Sequence, residues 1–220
     1  MKIAVLGGSF NPLHNGHVLL AQKVLLTFKY DKIFFVPTFV PPHKEIVKGV
    51  SAFHRLEMIK EFCRNKNDYF VAEDCEIKRG GISYTYDTLC YLCKKYSDGI
   101  EKIEGKIGLI MGEEIAAEFH KWKNPQGICD LAELIIVPRE CDYEKNKSEL
   151  TKNKPSGNYK GDFSENFDKE KFSYPYKMLD NPVACVSSTE IRNRIMSGKP
   201  FDDLVPAEIY EYIMKNGLYL

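Results

Sequence analysis

The chain lacks a charge surplus, a membrane-length apolar run and a paired cysteine pattern, and each lack removes a class of function. Its 31 Lys and Arg balance 31 Asp and Glu over 220 residues. No overall field would hold a nucleic-acid backbone or an anionic membrane, so neither nucleic acid nor membrane is expected as a partner and a small molecule is. No run of about 18 apolar residues occurs, and residues 1 to 12 carry one Lys without an apolar core and cleavage site. A cytoplasmic protein is the expectation. The seven cysteines, Cys63, Cys75, Cys90, Cys93, Cys129, Cys141 and Cys185, are odd in number and scattered, which suits reduced thiols better than a disulfide framework. Cys90 and Cys93 form one CxxC, but in TLCYLCKKY they sit at helical spacing beside Leu89 and Leu92 and read as buried core thiols. No cluster of His, Cys, Asp or Glu has the spacing of a structural metal site, and there is no internal repeat.

At 44% hydrophobic, the chain can bury a sizeable core as one domain over residues 1–220. Strand-like runs (KIAVLGG, KIFFVPT, YFVAEDCEI, KIGLIMG, ELIIVPR, PVACVSS) alternate with stretches whose apolar residues recur three and four apart (HVLLAQKVLLTF, SAFHRLEMIKEFCRN with Ser51 as N-cap, YDTLCYLCKKY). Such alternation predicts an α/β, Rossmann-like doubly wound fold: a mostly parallel sheet with helices on both faces. From Cys141 to Tyr176 the chain is polar, charged and poor in aliphatic residues. This predicts a surface excursion over about residues 142–176, followed by a helical end at about 188–220.

The first strand runs into GGSFNPLHNGHVLL, Gly7 to Leu20. Glycines at such a junction let the backbone approach a phosphate, and the helix start after them offers N–H groups and the positive dipole end. The stretch is neither G-x-G-x-x-G nor G-x-x-x-x-G-K-[ST], so the dinucleotide fingerprint and the P-loop are both excluded. His14 and His17, three apart around Gly16, share one face at that positive end if the helix begins near Leu13. They read as phosphate partners, the alternative being two capping or surface histidines. A second helix start follows at Ser187, Ser188 and Thr189, where hydroxyls and N–H groups form an anion site toward which Arg192, one turn on, can point back. A capping box of Ser187 with Glu190 is the plainer reading, and the two are compatible.

GGSFNPLHNGH resembles the HxGH signature of the nucleotidyltransferase superfamily, in the form found in bacterial nicotinate mononucleotide adenylyltransferases. FVPTFVPPHK (35–44), RLEMI (55–59), GGISYTYDTL (80–89), GEEIAAEFHKW (112–122), VPR (137–139), VSSTEIRNRI (186–195) and the tail LVPAEIYEYIMKNGLY agree in order. The resemblance implies transfer of AMP from ATP to nicotinate mononucleotide, with release of pyrophosphate and Mg2+ delivered by ATP. It implies that His14, His17, Lys44 and Arg192 carry catalysis, that Gly7, Gly8, Ser9 and Phe10 join the histidines on ATP, and that Gly112, Glu114, Ser187, Ser188, Thr189 and Arg192 complete the ATP site. For the acceptor it implies Ser9, Lys44, Tyr84, Thr85, Trp122 and Lys123, with Trp122, the single tryptophan, stacking on the pyridine ring from a rim position. His43 has no clear part. Glu114 stands where the family has Asp, so its contact to a ribose hydroxyl must shift by about one methylene. Two alternatives keep the fold: another acceptor, nicotinamide mononucleotide or phosphopantetheine, or a nucleotide-binding regulatory module without turnover. A homo-oligomer is left open.

Overall fold

The computed structural model describes residues 1–42, 50–64, 66, 68–138, 167–179 and 186–220. Six strands, β1 (Ile3–Gly8), β2 (Lys32–Pro37), β3 (Phe70–Ala72), β4 (Ile107–Gly112), β5 (Ala132–Val137) and β6 (Tyr176–Met178), form one sheet in the order β3-β2-β1-β4-β5-β6. Every pairing is parallel. The strand order reverses between β1 and β4, and the crevice outside the carboxyl ends of those two strands is where open α/β sheets take ligands. β1 ends there on Gly7 and Gly8 and β4 on Gly112.

Helices cover both faces, which is why the strands read as near-continuous apolar runs. Ala4 and Leu6 of β1 pack into one core with helices α1 (Asn15–Phe28) and α2 (Ala52–Cys63) and the later helices α7 (Ser188–Met196) and α8 (Ala207–Asn216). Ile3 and Val5 point the other way, into a core closed by α3 (Cys75–Arg79), α4 (Thr85–Lys95), α5 (Glu113–Ala116) and α6 (Pro125–Leu131). Ser51 caps α2 as expected, its hydroxyl accepting the His54 N–H at 3.3 Å. In α4, Leu89 and Leu92 are fully buried, which contributes about 1.5–3 kcal/mol each. Cys90 and Cys93 beside them are only half-buried, not the buried core thiols expected, because they flank that stripe; both are free, as are Cys63, Cys75 and Cys129.

One strand assignment needs correction. YFVAEDCEI is not one strand: β3 stops at Ala72 and α3 starts at Cys75. The chain leaves the sheet because its carboxylates have partners on α4, Lys95 Nζ at 2.7 Å from Glu73 and Thr88 Oγ1 at 2.6 Å from Glu76. Of PVACVSS, expected as a strand, residues 182–185 lie outside the described residues, while Val186 and Ser187 lead into α7, and the sixth strand of the described sheet lies elsewhere. It is Tyr176–Met178, at the end of the stretch expected as a surface excursion, with Leu134 opposite Tyr176. That stretch is poor in aliphatic residues, but its aromatics substitute: Phe167, Phe172, Tyr174 and Tyr176 pack edge to face on one another and against the second core. Residues 139–166, the bulk of the excursion, lie outside the described residues.

Candidate active site

At the end of β1 the chain passes through Phe10 at φ 46° and a cis Asn11–Pro12 peptide before α1 begins. Four backbone oxygens of this loop are tied into the protein. Gly8 O accepts Thr38 N–H at 2.9 Å, Ser9 O accepts Arg55 Nη1 at 2.5 Å, Asn11 O accepts Arg192 Nη1 at 2.8 Å, and Pro12 O accepts Ser188 Oγ at 3.1 Å. A trans peptide sets its N–H opposite its C=O. Holding the Gly8, Ser9 and Pro12 carbonyls therefore turns the N–H groups of Ser9, Phe10 and Leu13 to the other side, the arrangement of an anion-binding nest. A Cβ on Gly7 would meet nothing within 4 Å, so the space beside it is open. The ring of Phe10 is buried between His17 and Phe35, at 5.0 and 5.8 Å, so it is the backbone of this residue that the loop presents.

Helix α1 begins at Asn15, two residues later than expected, because His14 is its N-cap. His14 Nδ1 accepts the His17 N–H at 3.4 Å and His17 Nδ1 accepts the His14 N–H at 3.3 Å, a reciprocal capping box built from two imidazoles stacked 3.6 Å apart. The capping expected as the plainer reading is thus present, and it is what stacks the two imidazoles. A ring nitrogen that accepts an N–H carries no proton, so each neutral ring is the Nε2–H tautomer, a donor suited to a phosphate oxygen. Gly16 makes the stacking possible, since a Cβ there would lie 3.1 Å from His14 Nδ1 and 3.4 Å from Val186 Cβ.

The second helix start lies against the first. Ser187 caps α7, its Oγ accepting Thr189 N–H at 3.2 Å. Glu190 does not complete a capping box, because Arg194 Nη2 holds its carboxylate at 2.7 Å. Arg192 does point back, donating to Thr189 Oγ1 at 3.0 Å as well as to Asn11 O. Burial lowers its pKa, but a guanidinium stays charged. At the end of β4 the Glu114 carboxylate folds over Gly112, where any Cβ would collide with it.

The acceptor candidates gather on the other side. A single bridge, Val40 to Ile82, zips the loop after β2 onto the turn before α4. Ser83 Oγ accepts Phe39 N–H at 3.0 Å and Ser83 N–H donates to Val40 O at 2.8 Å. Tyr84 and Thr85 then start α4, and the Thr85 hydroxyl has no hydrogen-bond partner among the described residues. Lys123 Nζ sits 2.9 Å from both Asp87 oxygens and 4.8 Å from the Tyr84 ring centroid, fastening the Trp122 segment to α4. Trp122 is half-buried at a rim, 5.3 Å from the buried Phe119. Lys44 and His43 lie outside the described residues.

Arg55 and Glu76 were not singled out in the sequence, though Arg55 interrupts the apolar stripe of FHRLEMI. Arg55 is 6% exposed and binds Ser9 O, Thr38 O (2.6 Å) and Phe39 O (3.5 Å), joining the phosphate loop to the acceptor side. Burial lowers its pKa, opposed by Tyr219 and Glu76.

Known proteins are similar to this chain. The cytidylyltransferase-like family model matches residues 5–194. The "Probable nicotinate-nucleotide adenylyltransferase" of Borreliella afzelii is 36% identical over 220 residues, covering 100% of this chain and 97% of the relative. The chain belongs to the nicotinate-nucleotide adenylyltransferase family. The Treponema pallidum relative of the same name is 34% identical, covering 100% of this chain and 99% of the relative. The Plasmodium falciparum nicotinic acid mononucleotide adenylyltransferase complexed with NaAD has the same fold at a TM-score of 0.69 and 18% identity, covering 99% of this chain and 97% of that one. Membership makes the chain a nucleotidyltransferase of NAD biosynthesis, a class that generally uses a divalent metal. Among the described residues no helix is long and apolar enough to cross a membrane.

Proposed function

We propose that this chain, as a single cytoplasmic domain, transfers AMP from ATP to nicotinate mononucleotide, giving deamido-NAD and pyrophosphate. One observation carries the reading: Arg192 and Ser188 of α7 grip the loop that leads into α1, so two helix starts and the paired imidazoles converge on one anion site at the β1–β4 switch. The acceptor phosphate attacks the α-phosphorus in line; its oxygen forms the new P–O bond as the bond to the β-phosphate bridging oxygen breaks, and pyrophosphate leaves with the electrons. The protein positions and stabilises charge. His17 and His14, as Nε2–H donors, and Arg192 hold the ATP phosphates, with the N–H groups of Ser9 and Phe10 beneath. Lys44 meets the acceptor phosphate, Thr85 its carboxylate and Trp122 its ring face.

The donors at this site are imidazoles, N–H groups and a guanidinium, which suit anions, and among the described residues no group of three or more His, Cys, Asp or Glu could hold a metal ion. The residues fit an ion, Mg2+, carried by ATP phosphates and water. When bound, it neutralises phosphate charge and eases pyrophosphate departure.

Pyrophosphate release with ATP and each of nicotinate mononucleotide, nicotinamide mononucleotide and phosphopantetheine tests the reading. Donors arranged for a carboxylate are mismatched by an amide at about 1–3 kcal/mol each. The acid is expected to exceed the amide by at least about a hundredfold in kcat/KM, and Thr85→Val to narrow the gap. Equal use of acid and amide removes nicotinate from the assignment; release with none of the three removes the enzyme.

A further inference from the structure

The segment after α8 turns sharply, through Gly217 at φ 57° and then Tyr219 at φ 67°. An aromatic residue rarely adopts the left-handed region, and where it persists its surroundings hold it there. Two contacts do so: the ring packs on the first core, and the hydroxyl donates to Asn11 Oδ1 at 2.7 Å across 208 positions of sequence. Asn11 is 3% exposed, and its own carbonyl is the one gripped by Arg192. Tyr219 therefore reaches the phosphate loop at the residue between Phe10, with its unusual φ, and the cis Pro12. Burial raises the Tyr219 pKa well above the ordinary tyrosine value, so the hydroxyl stays a donor at any working pH.

We infer that Tyr219 is a positioning residue for ATP, holding the Asn11 side chain so that the carbonyl to Arg192 and the neighbouring N–H groups keep the orientation that receives the phosphates. The other holds on this loop described above come from α2, α7 and Thr38 just after β2; Tyr219 adds one from the segment after α8. With Phe at 219, Asn11 Oδ1 loses its donor in a buried setting, and the loop relaxes toward other orientations. The acceptor side, tied through Ser83 and Lys123, is untouched. This rests on the loop being the ATP site proposed above.

The test is calorimetric titration of Tyr219→Phe, Asn11→Leu and the double variant with ATP and separately with nicotinate mononucleotide, alongside steady-state kinetics. Leu220→Ala, at an exposed neighbour, serves as control. Tyr219→Phe keeps the ring and hence the fold. It is expected to weaken ATP about tenfold and lower kcat/KM for ATP similarly, with acceptor affinity within about twofold of wild type; Asn11→Leu should match it, and the double variant should lose no more than the worse single one. Unchanged ATP affinity, equal weakening of both ligands, or additive losses in the double variant overturn the proposal. A wild type that binds ATP yet adenylylates no acceptor counts against the proposed function, while the ATP affinity ratio still decides the role of Tyr219.

Discussion

Gly16 shows how a single residue can matter to catalysis while leaving stability nearly alone. Exchanging a helical Gly for Ala ordinarily stabilises by about 0.5–1 kcal/mol. Here the new Cβ would lie 3.1 and 3.2 Å from His14 Nδ1 and Cε1, and an imidazole can swing away at little cost to the fold. Doing so breaks the stack with His17 and both caps, and a displacement of about 1 Å at a reacting site costs about a hundredfold. Gly16→Ala is therefore expected to lower turnover ten- to a hundredfold with Tm within a few degrees of wild type; pyrophosphate release and a thermal melt on one preparation check it, and near-wild-type turnover would refute the imidazole geometry. The motif residues His14, His17, Ser187 and Arg192 were legible because local spacing along a helix start carries their chemistry. Arg55, Asn11 and Tyr219 were not. Arg55 donates to Ser9 O across 46 positions and Tyr219 to Asn11 Oδ1 across 208, and no local pattern in a chain encodes a partner that distant.

At the scale of elements, regular periodicity was read correctly and short elements were not. Helices α1, α2 and α4 and strands β1, β2, β4 and β5 each carry several apolar residues in register. β3 and β6 are three residues long, too short for alternation to distinguish them from a turn, and the aromatic packing that places β6 is tertiary. The joint between α3 and α4 has a testable consequence. Glu76 is 7% exposed, accepts the Thr88 hydroxyl on one oxygen, and its other oxygen, Oε2, has no hydrogen bond of good geometry among the described residues. Burial raises its pKa above the ordinary carboxylate value, while Thr88, Ser83 and Arg79 oppose the shift. A folded pKa above the unfolded one means that the fold binds the proton more tightly, so this contribution is full below the unfolded pKa and fades as pH rises through the folded one. Gln at 76 keeps the acceptor for Thr88 and carries no charge. The Tm of Glu76→Gln should gain on that of wild type as pH is raised from about 4 to 8, and a Tm difference that stays flat across that range would show that Glu76 ionises without penalty.

Over the whole molecule, the sheet has two cores and the site draws on both. The proposed ATP grips hang on α1, α2 and α7 of the first core and the proposed acceptor side on α4 and the Phe119–Trp122 segment of the second. Arg55 joins them, one guanidinium holding Ser9 O of the loop after β1 together with Thr38 O and Phe39 O of the loop after β2, and Ser83 carries that link on to α4. A ligand bound at the β1–β4 switch thus adds to the free energy of parting the two halves as well as to that of its own loop. ATP at about a hundred times its dissociation constant should stabilise the fold by about 2.7 kcal/mol, a rise in Tm of roughly 5–11 °C for a chain of this length. Nicotinate mononucleotide should raise Tm too, and with a non-hydrolysable ATP analogue the shift should exceed that of either ligand alone, because each completes part of one crevice. Differential scanning calorimetry should show one transition moving intact. Two transitions, only one of which responds to ATP, would mean that the halves unfold independently and that Arg55 does not couple them.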